Sequence, residues 1–140
     1  GMVGGQVLDI QSEERKCTAQ EVKDIQSRKT GALIKAACLL GVLAGNGNEE
    51  KYNAAEVFAE NLGLAFQIRD DMLDVIGNAE ELGKATGVDA DKNTFVQLYG
   101  IDQCSVLVKE HTTLALNQLN AFADHEFMEK LSLDLVGRTT

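Results

Sequence analysis

Asn61-Leu62-Gly63-Leu64-Ala65-Phe66-Gln67-Ile68-Arg69-Asp70-Asp71-Met72-Leu73-Asp74-Val75-Ile76 reads as a single helix with two chemically opposed edges. Leu62, Ala65, Phe66, Met72, Leu73 and Ile76 recur at helical spacing, and Ala55 and Phe58 carry that stripe upstream, so the spacing predicts a helix from Glu49 to Ile76. Gln67, Asp70, Asp71 and Asp74 stand at i, i+3, i+4 and i+7 and share one arc, expected opposite the apolar stripe. Gly63, one turn earlier on that arc, removes bulk where another group can approach the backbone. Like charges four residues apart destabilise a helix. No lysine sits inside the strip, and Arg69 is expected on the apolar side. A cation is the simplest compensation. Hard oxygen ligands suit Mg²⁺, which keeps several waters and takes one or two carboxylates together with phosphate oxygens.

The flanking sequence is also helical. Thr18 with Glu21 three residues later forms a capping box, so a helix starts near residue 19. Val22, Ile25, Ala32, Leu33, Ala36, Leu39, Leu40 and Leu43 give it an apolar face, and Gly45-Asn46-Gly47-Asn48 ends it. Its apolar stretch Gly31 to Gly45 is too short to span a bilayer and contains Lys35, so it reads as a buried core helix. From Gly77 to Asn93 the periodicity fails, which predicts a long loop with one short helical turn at Ala79 to Leu82. Two further helices are expected, over Thr94 to Asn120 with a break at Gly100, and over Asp124 to Leu135. Gly1 to Gln6 resembles the inside of a helix-packing region. The chain has no proline and no alternating strand pattern, so the fold class is all-α, and its 140 residues fit one domain.

Charge excludes some partners. A formal net charge of −9 argues against nucleic acid, which would want a basic stripe. It leaves anionic small ligands open, because bound divalent cations invert the local charge. Cys17, Cys38 and Cys104 are scattered and unpaired in sequence, as in a reducing compartment. With no secretory signal in the first ten residues and no transmembrane segment, a cytoplasmic protein is expected. His111 and His125 show no recognisable partner and read as surface or boundary residues.

A lone D-D-x-x-D is ordinary for a solvated acidic face. Its surroundings decide. In order along the chain stand Gly4-Gly5-Gln6-Val7-Leu8-Asp9, Lys29-Thr30-Gly31, Phe66-Gln67 running into Asp70-Asp71-Met72-Leu73-Asp74, Leu82-Gly83-Lys84, and Asp91-Lys92-Asn93-Thr94. This ordered set resembles the trans-prenyl diphosphate synthases, the polyprenyl synthetase family that includes farnesyl and geranyl diphosphate synthases. The likeness covers roughly residues 1 to 103. It implies an antiparallel helix bundle of the isoprenoid-synthase type, of which residues 1–140 would be the C-terminal half, and a Mg²⁺-dependent condensation of an allylic diphosphate with isopentenyl diphosphate in a homodimer. By the same resemblance Asp70, Asp71 and Asp74 are the metal ligands of the second aspartate-rich motif. Lys29, Lys84 and Lys92 match lysines that hold the allylic diphosphate, and Thr30 and Gln67 match residues that line the carbocation site. Phe66 matches an aromatic near the isopentenyl substrate, and Gln6 and Asp9 a polar pair beside Lys29.

The sequence departs from the family pattern in three places. The second loop lysine sits in Asp91-Lys92-Asn93-Thr94-Phe95-Val96 where G-K-[ST]-T-Y-P is usual, and Asn78 stands where an acid is common. The family's first aspartate-rich motif and the basic residues that grip isopentenyl diphosphate have no counterpart in these 140 residues. The 140 residues by themselves are therefore expected to be inactive. A non-catalytic or regulatory relative, or a truncated product acting as a helical interaction subunit, stands as the alternative. A helical terpene cyclase relative is disfavoured by Lys29-Thr30-Gly31 and the loop lysines.

Overall fold

Helix boundaries follow local chemistry. The computed structural model describes residues 1–12, 16–82 and 94–138, with the side chains of 78–82 outside the description. Helix α1 covers Met2–Ser12. Helix α2, Ala19–Gln26, begins at the predicted capping box: the Thr18 hydroxyl accepts from the Glu21 N–H at 3.3 Å, and the Glu21 carboxylate accepts from the Thr18 N–H at 2.9 Å. A π-helical turn, Ser27–Gly31, follows directly and passes into α3, Ala32–Ala44. The turn after α3 uses Asn46 at φ 51°, and the Asn48 side chain caps the next helix by accepting from the Lys51 N–H at 3.0 Å.

Helix α4, Glu49–Leu82, is the axis of the molecule. It runs six residues past the predicted end at Ile76, because Gly77 sits within the helix, as one glycine can when neighbouring turns are sound. Helix α5, Phe95–Tyr99, is capped by the Thr94 hydroxyl, which accepts from the Gln97 N–H at 3.2 Å. Gly100, at φ 77°, separates it from α6, Ile101–Gln118, the break expected there. A 3₁₀ turn, Leu119–Ala121, leads to α7, Glu126–Gly137. Every described element is helical.

Two apolar clusters share α4. Towards its N-terminal end Phe58, Leu62 and Ala65 pack with Ala115, Leu119 and Val136. Towards its C-terminal end Ile68 and Met72 pack with Cys17, Val22, Ile25, Phe95 and Cys104. Ala59, Ala65 and Ala115 are fully buried, and such small side chains let α4 and α6 approach closely.

Within these residues α3 is not the buried core helix that its apolar stretch alone suggests. No residue of α3 is buried, and Leu33, Leu40 and Leu43 are 55%, 65% and 57% exposed. The face that meets α4 is a different one. Cys38 packs on the first cluster, while the Lys35 ammonium pairs with Glu56 at 2.6 Å and Glu60 at 2.8 Å. Those two carboxylates also raise the lysine pKa. Apolar spacing identified the helix correctly, but not which side a neighbour would cover.

Candidate functional site

Close backbone approach builds this region. A Cβ on Gly5 would lie 2.4 Å from the Lys29 nitrogen, so α1 seats directly on the backbone of the π-helical turn. On the other side, a Cβ on Gly63 would stand 3.4 Å from the Gly31 Cα. Two glycines thus let the turn wedge between α1 and α4. π-helical turns widen the helix and recur at functional sites. Here the turn carries Lys29 and Thr30.

A cleft of about 320 Å³ opens between α1, the π-helical turn and α4. Asp9, Lys29, Thr30, Phe66, Gln67, Asp70, Asp71 and Asp74 line it, together with Ser12, Gln26 and Thr94. Eight of the predicted site residues therefore meet at one place. Lys29 Nζ pairs with Asp9 Oδ2 at 2.6 Å, and Ser12 Oγ donates to the Asp9 carbonyl at 2.7 Å. Gln6, on the same helix, is exposed and is not among the lining residues. Lys84 and Lys92 lie outside the described residues.

The acidic arc is not a uniform outer face, contrary to the expectation that it lies opposite the apolar stripe. Gln67 is 7% exposed and Asp71 9% exposed, whereas Asp74 is open to solvent. The reason is α5. Its first N–H, on Phe95, donates to Asp71 Oδ2 at 2.8 Å, and the Phe95 ring joins the apolar cluster beside Met72. Burial pushes the Asp71 carboxyl up to about 6 against the pull of that hydrogen bond, and the neighbouring charges of Asp70, Asp74 and Asp9 add to the rise.

Arg69 and Arg138 complete the edge, and the sequence pointed to neither role. Arg138 Nη2 pairs with Asp70 Oδ1 at 2.5 Å, and its guanidinium lies 4.3 Å from the centroid of the Phe66 ring. Arg69, half-buried, reaches the end of α7 and donates from Nε and Nη2 to the Arg138 carbonyl at 3.1 and 2.6 Å. His111 also has a partner after all. Asn61 donates its amide to the Val57 carbonyl, which leaves Asn61 Oδ1 to accept from His111 Nδ1 at 2.8 Å.

The donor set fits one type of metal binding. Among the described residues no three ligating side chains converge on a point, which excludes a closed protein cage there. Asp70 and Asp74, one turn apart and solvent-accessible, suit an ion that keeps waters and shares phosphate oxygens, as Mg²⁺ does. The opposite wall supplies the Lys29 ammonium for an anion.

The sequence matches the polyprenyl synthetase family over residues 1–131. The chain belongs to this family. Farnesyl diphosphate synthase from Micrococcus luteus is 40% identical over 115 residues, which are 81% of this chain and 40% of that protein. Geranylgeranyl diphosphate synthase from Cyanophora paradoxa is 42% identical over 117 residues, 79% of this chain and 39% of the relative. Among solved structures, the geranyltransferase of Helicobacter pylori, crystallised with magnesium and isoprenyl diphosphate, superposes with a TM-score of 0.74 at 31% identity. That match takes in 97% of this chain and 45% of the other. The chain thus spans about 40% of the length of the curated relatives it matches. No described helix is long and apolar enough to cross a membrane.

Of the lining residues that sequence reasoning missed, Thr94 was the most accessible. A threonine three residues before a glutamine, ahead of an apolar run, is an N-cap signature. Ser12 and Gln26 carry no comparable signal. Arg138 lies 68 residues from Asp70, and only the tertiary fold brings the two together.

Proposed function

We propose that this chain is part of a Mg²⁺-dependent prenyltransferase that condenses an allylic diphosphate with isopentenyl diphosphate. Residues 1–140 would then form the C-terminal part of its single helical domain. The observation that carries the proposal is the cleft itself: Lys29 on one wall, Asp70 and Asp74 on the other, and Thr30 and Gln67 among the residues lining it. The Helicobacter pylori relative, solved with magnesium and isoprenyl diphosphate, supports the same reading.

In this proposal Asp70 and Asp74 hold the metal, with Asp71 behind them anchoring the start of α5. Bound Mg²⁺ neutralises diphosphate charge, without which diphosphate is a poor leaving group. Lys29, Lys84 and Lys92 take the remaining phosphate charge, and Asp9 fixes the Lys29 ammonium, with Gln6 on the same helix. The Thr30 hydroxyl and Gln67 carbonyl turn oxygen dipoles towards the positive charge that develops on the allylic carbon, stabilising it without a covalent bond. Phe66 supplies an apolar wall for the isopentenyl chain. The proposed assembly is a homodimer. Met2, Val3, Val7 and Ile10 are exposed on α1, an apolar strip that association would cover, and sedimentation equilibrium tests it.

The direct test is prenyl transfer from dimethylallyl or geranyl diphosphate to isopentenyl diphosphate by the full-length protein. Asp70→Ala should lower turnover about 10²-fold or more, as for loss of strong transition-state charge stabilisation. The 140 residues alone should give no transfer. Full activity of Asp70→Ala would refute the assigned role.

A further inference from the structure

The acidic strip already carries a cation of its own. Arg138, the residue that follows α7, places Nη2 on Asp70 Oδ1 at 2.5 Å and lays its guanidinium 4.3 Å over the Phe66 ring. Three carboxylates at positions 70, 71 and 74 need positive charge nearby, and no lysine within the strip provides it. The chain meets that need from its far end. We propose that Arg138 is a built-in competitor for the metal at Asp70, a guanidinium that a divalent cation must displace as it loads. The proposal rests on the assignment of Asp70 as a metal ligand.

Three features make the contact displaceable rather than structural. The Asp70 side chain is 51% exposed, so the pair is screened by water and held weakly. Among the described residues Nη2 alone meets the Asp70 carboxylate and the buried Nε has no hydrogen-bond partner, so the guanidinium does not make the two-pronged grip on carboxylate that gives arginine its strongest pairs. The backbone beneath it is tied separately, since Arg69 donates twice to the Arg138 carbonyl. The side chain can therefore leave Asp70 while the end of α7 stays in place. Phe66 offers its ring face as the resting surface on the way.

Competition has a signature that a merely structural arginine would not give: removing it should tighten metal binding. The test is a Mn²⁺ titration of the full-length protein without diphosphate, with free Mn²⁺ read by electron paramagnetic resonance. Arg138→Ala should bind Mn²⁺ about two- to fivefold more tightly than the parent, the range expected of a solvent-screened ion pair. Arg138→Lys keeps the charge and should fall between them. Asp70→Asn should abolish the binding and, with it, the difference between arginine and alanine at 138. A second readout is the Arg138 guanidinium nitrogen resonance, which should change from a restrained to a freely rotating signal as metal is added. Equal or weaker Mn²⁺ binding by Arg138→Ala, with Asp70→Asn still abolishing it, would overturn the competition and leave the metal site standing. No Mn²⁺ binding by the parent or by Arg138→Ala at millimolar metal would overturn both.

Discussion

The two ends of α4 differ in what they bury. Its first half packs alanines, Phe58 and Leu62 against α6, α7 and the 3₁₀ turn, and every buried side chain there is apolar. Its second half buries Gln67 and Asp71 beside Ile68 and Met72 and borders the cleft. One helix thus anchors the fold at one end and displays chemistry at the other. Buried polar groups are tolerated only where partners satisfy them, so the second half should be the less stable and the more specific.

The largest expected effect lies in the first half. Phe58→Ala should cost about 3–5 kcal/mol in a denaturant melt, because a nearly fully buried ring is replaced by a cavity. Leu40→Ala, on the exposed face of α3, should cost less than about 0.5 kcal/mol. A large loss at Leu40 would sharpen the comparison differently, by showing that another surface covers α3 in the working protein. Next comes the backbone contact beneath the cleft. Gly5→Ala should cost about 1–3 kcal/mol, since its Cβ meets the Lys29 backbone rather than a movable side chain. Gly4→Ala, with nothing within 4 Å of its Cβ, should be nearly silent.

Asp71 measures what the second half gives up. Its carboxyl is raised from 3.8 to about 6, so the folded state holds the proton more tightly than the unfolded chain. Ionised Asp71 therefore opposes folding, fully above pH 6 and not at all below 3.8. Asp71→Asn can still accept from the Phe95 N–H. In chelator it should stabilise the metal-free protein at pH 8 by about 1–3 kcal/mol. The gain should fade as the pH drops to 4, a trend that chemical denaturation at the two pH values resolves. The smaller of the two pH effects belongs to His111, whose pKa burial lowers, with Lys23 adding to the fall. A lowered histidine gives stability that is present above pH 6.5 and lost as pH falls. His111→Gln should flatten the slope of stability between pH 7 and 5 by less than about 1 kcal/mol.

Much of the fold was legible because helix signals are local. The Thr18–Glu21 box, the Gly45–Asn48 turn and the break at Gly100 stand where the sequence put them. Facing was not legible. The apolar residues of α3 have helical spacing whether or not a neighbour covers them, and it is the Cys38 packing and the Lys35–Glu56–Glu60 bridges that reveal which side meets α4. The candidate site divides the same way. Lys29, Thr30, Gln67 and the aspartates were found by ordered motifs, and the cleft gathers them. The uneven exposure of Asp70, Asp71 and Asp74 depends on where α5 docks, and Arg138 on where α7 ends. Neither is encoded in spacing along α4.

The central claim is that the cleft beside the second half of α4 holds diphosphate through a divalent metal on Asp70. Calorimetric titration of the full-length protein with inorganic diphosphate tests it directly, with Mg²⁺ and then with chelator. Binding should require Mg²⁺, and Asp70→Ala should weaken it by about tenfold or more, as for a charged contact worth 1.4 kcal/mol or more. Equal binding in chelator, or binding indifferent to Asp70→Ala, would contradict the account and leave the acidic strip a solvated edge.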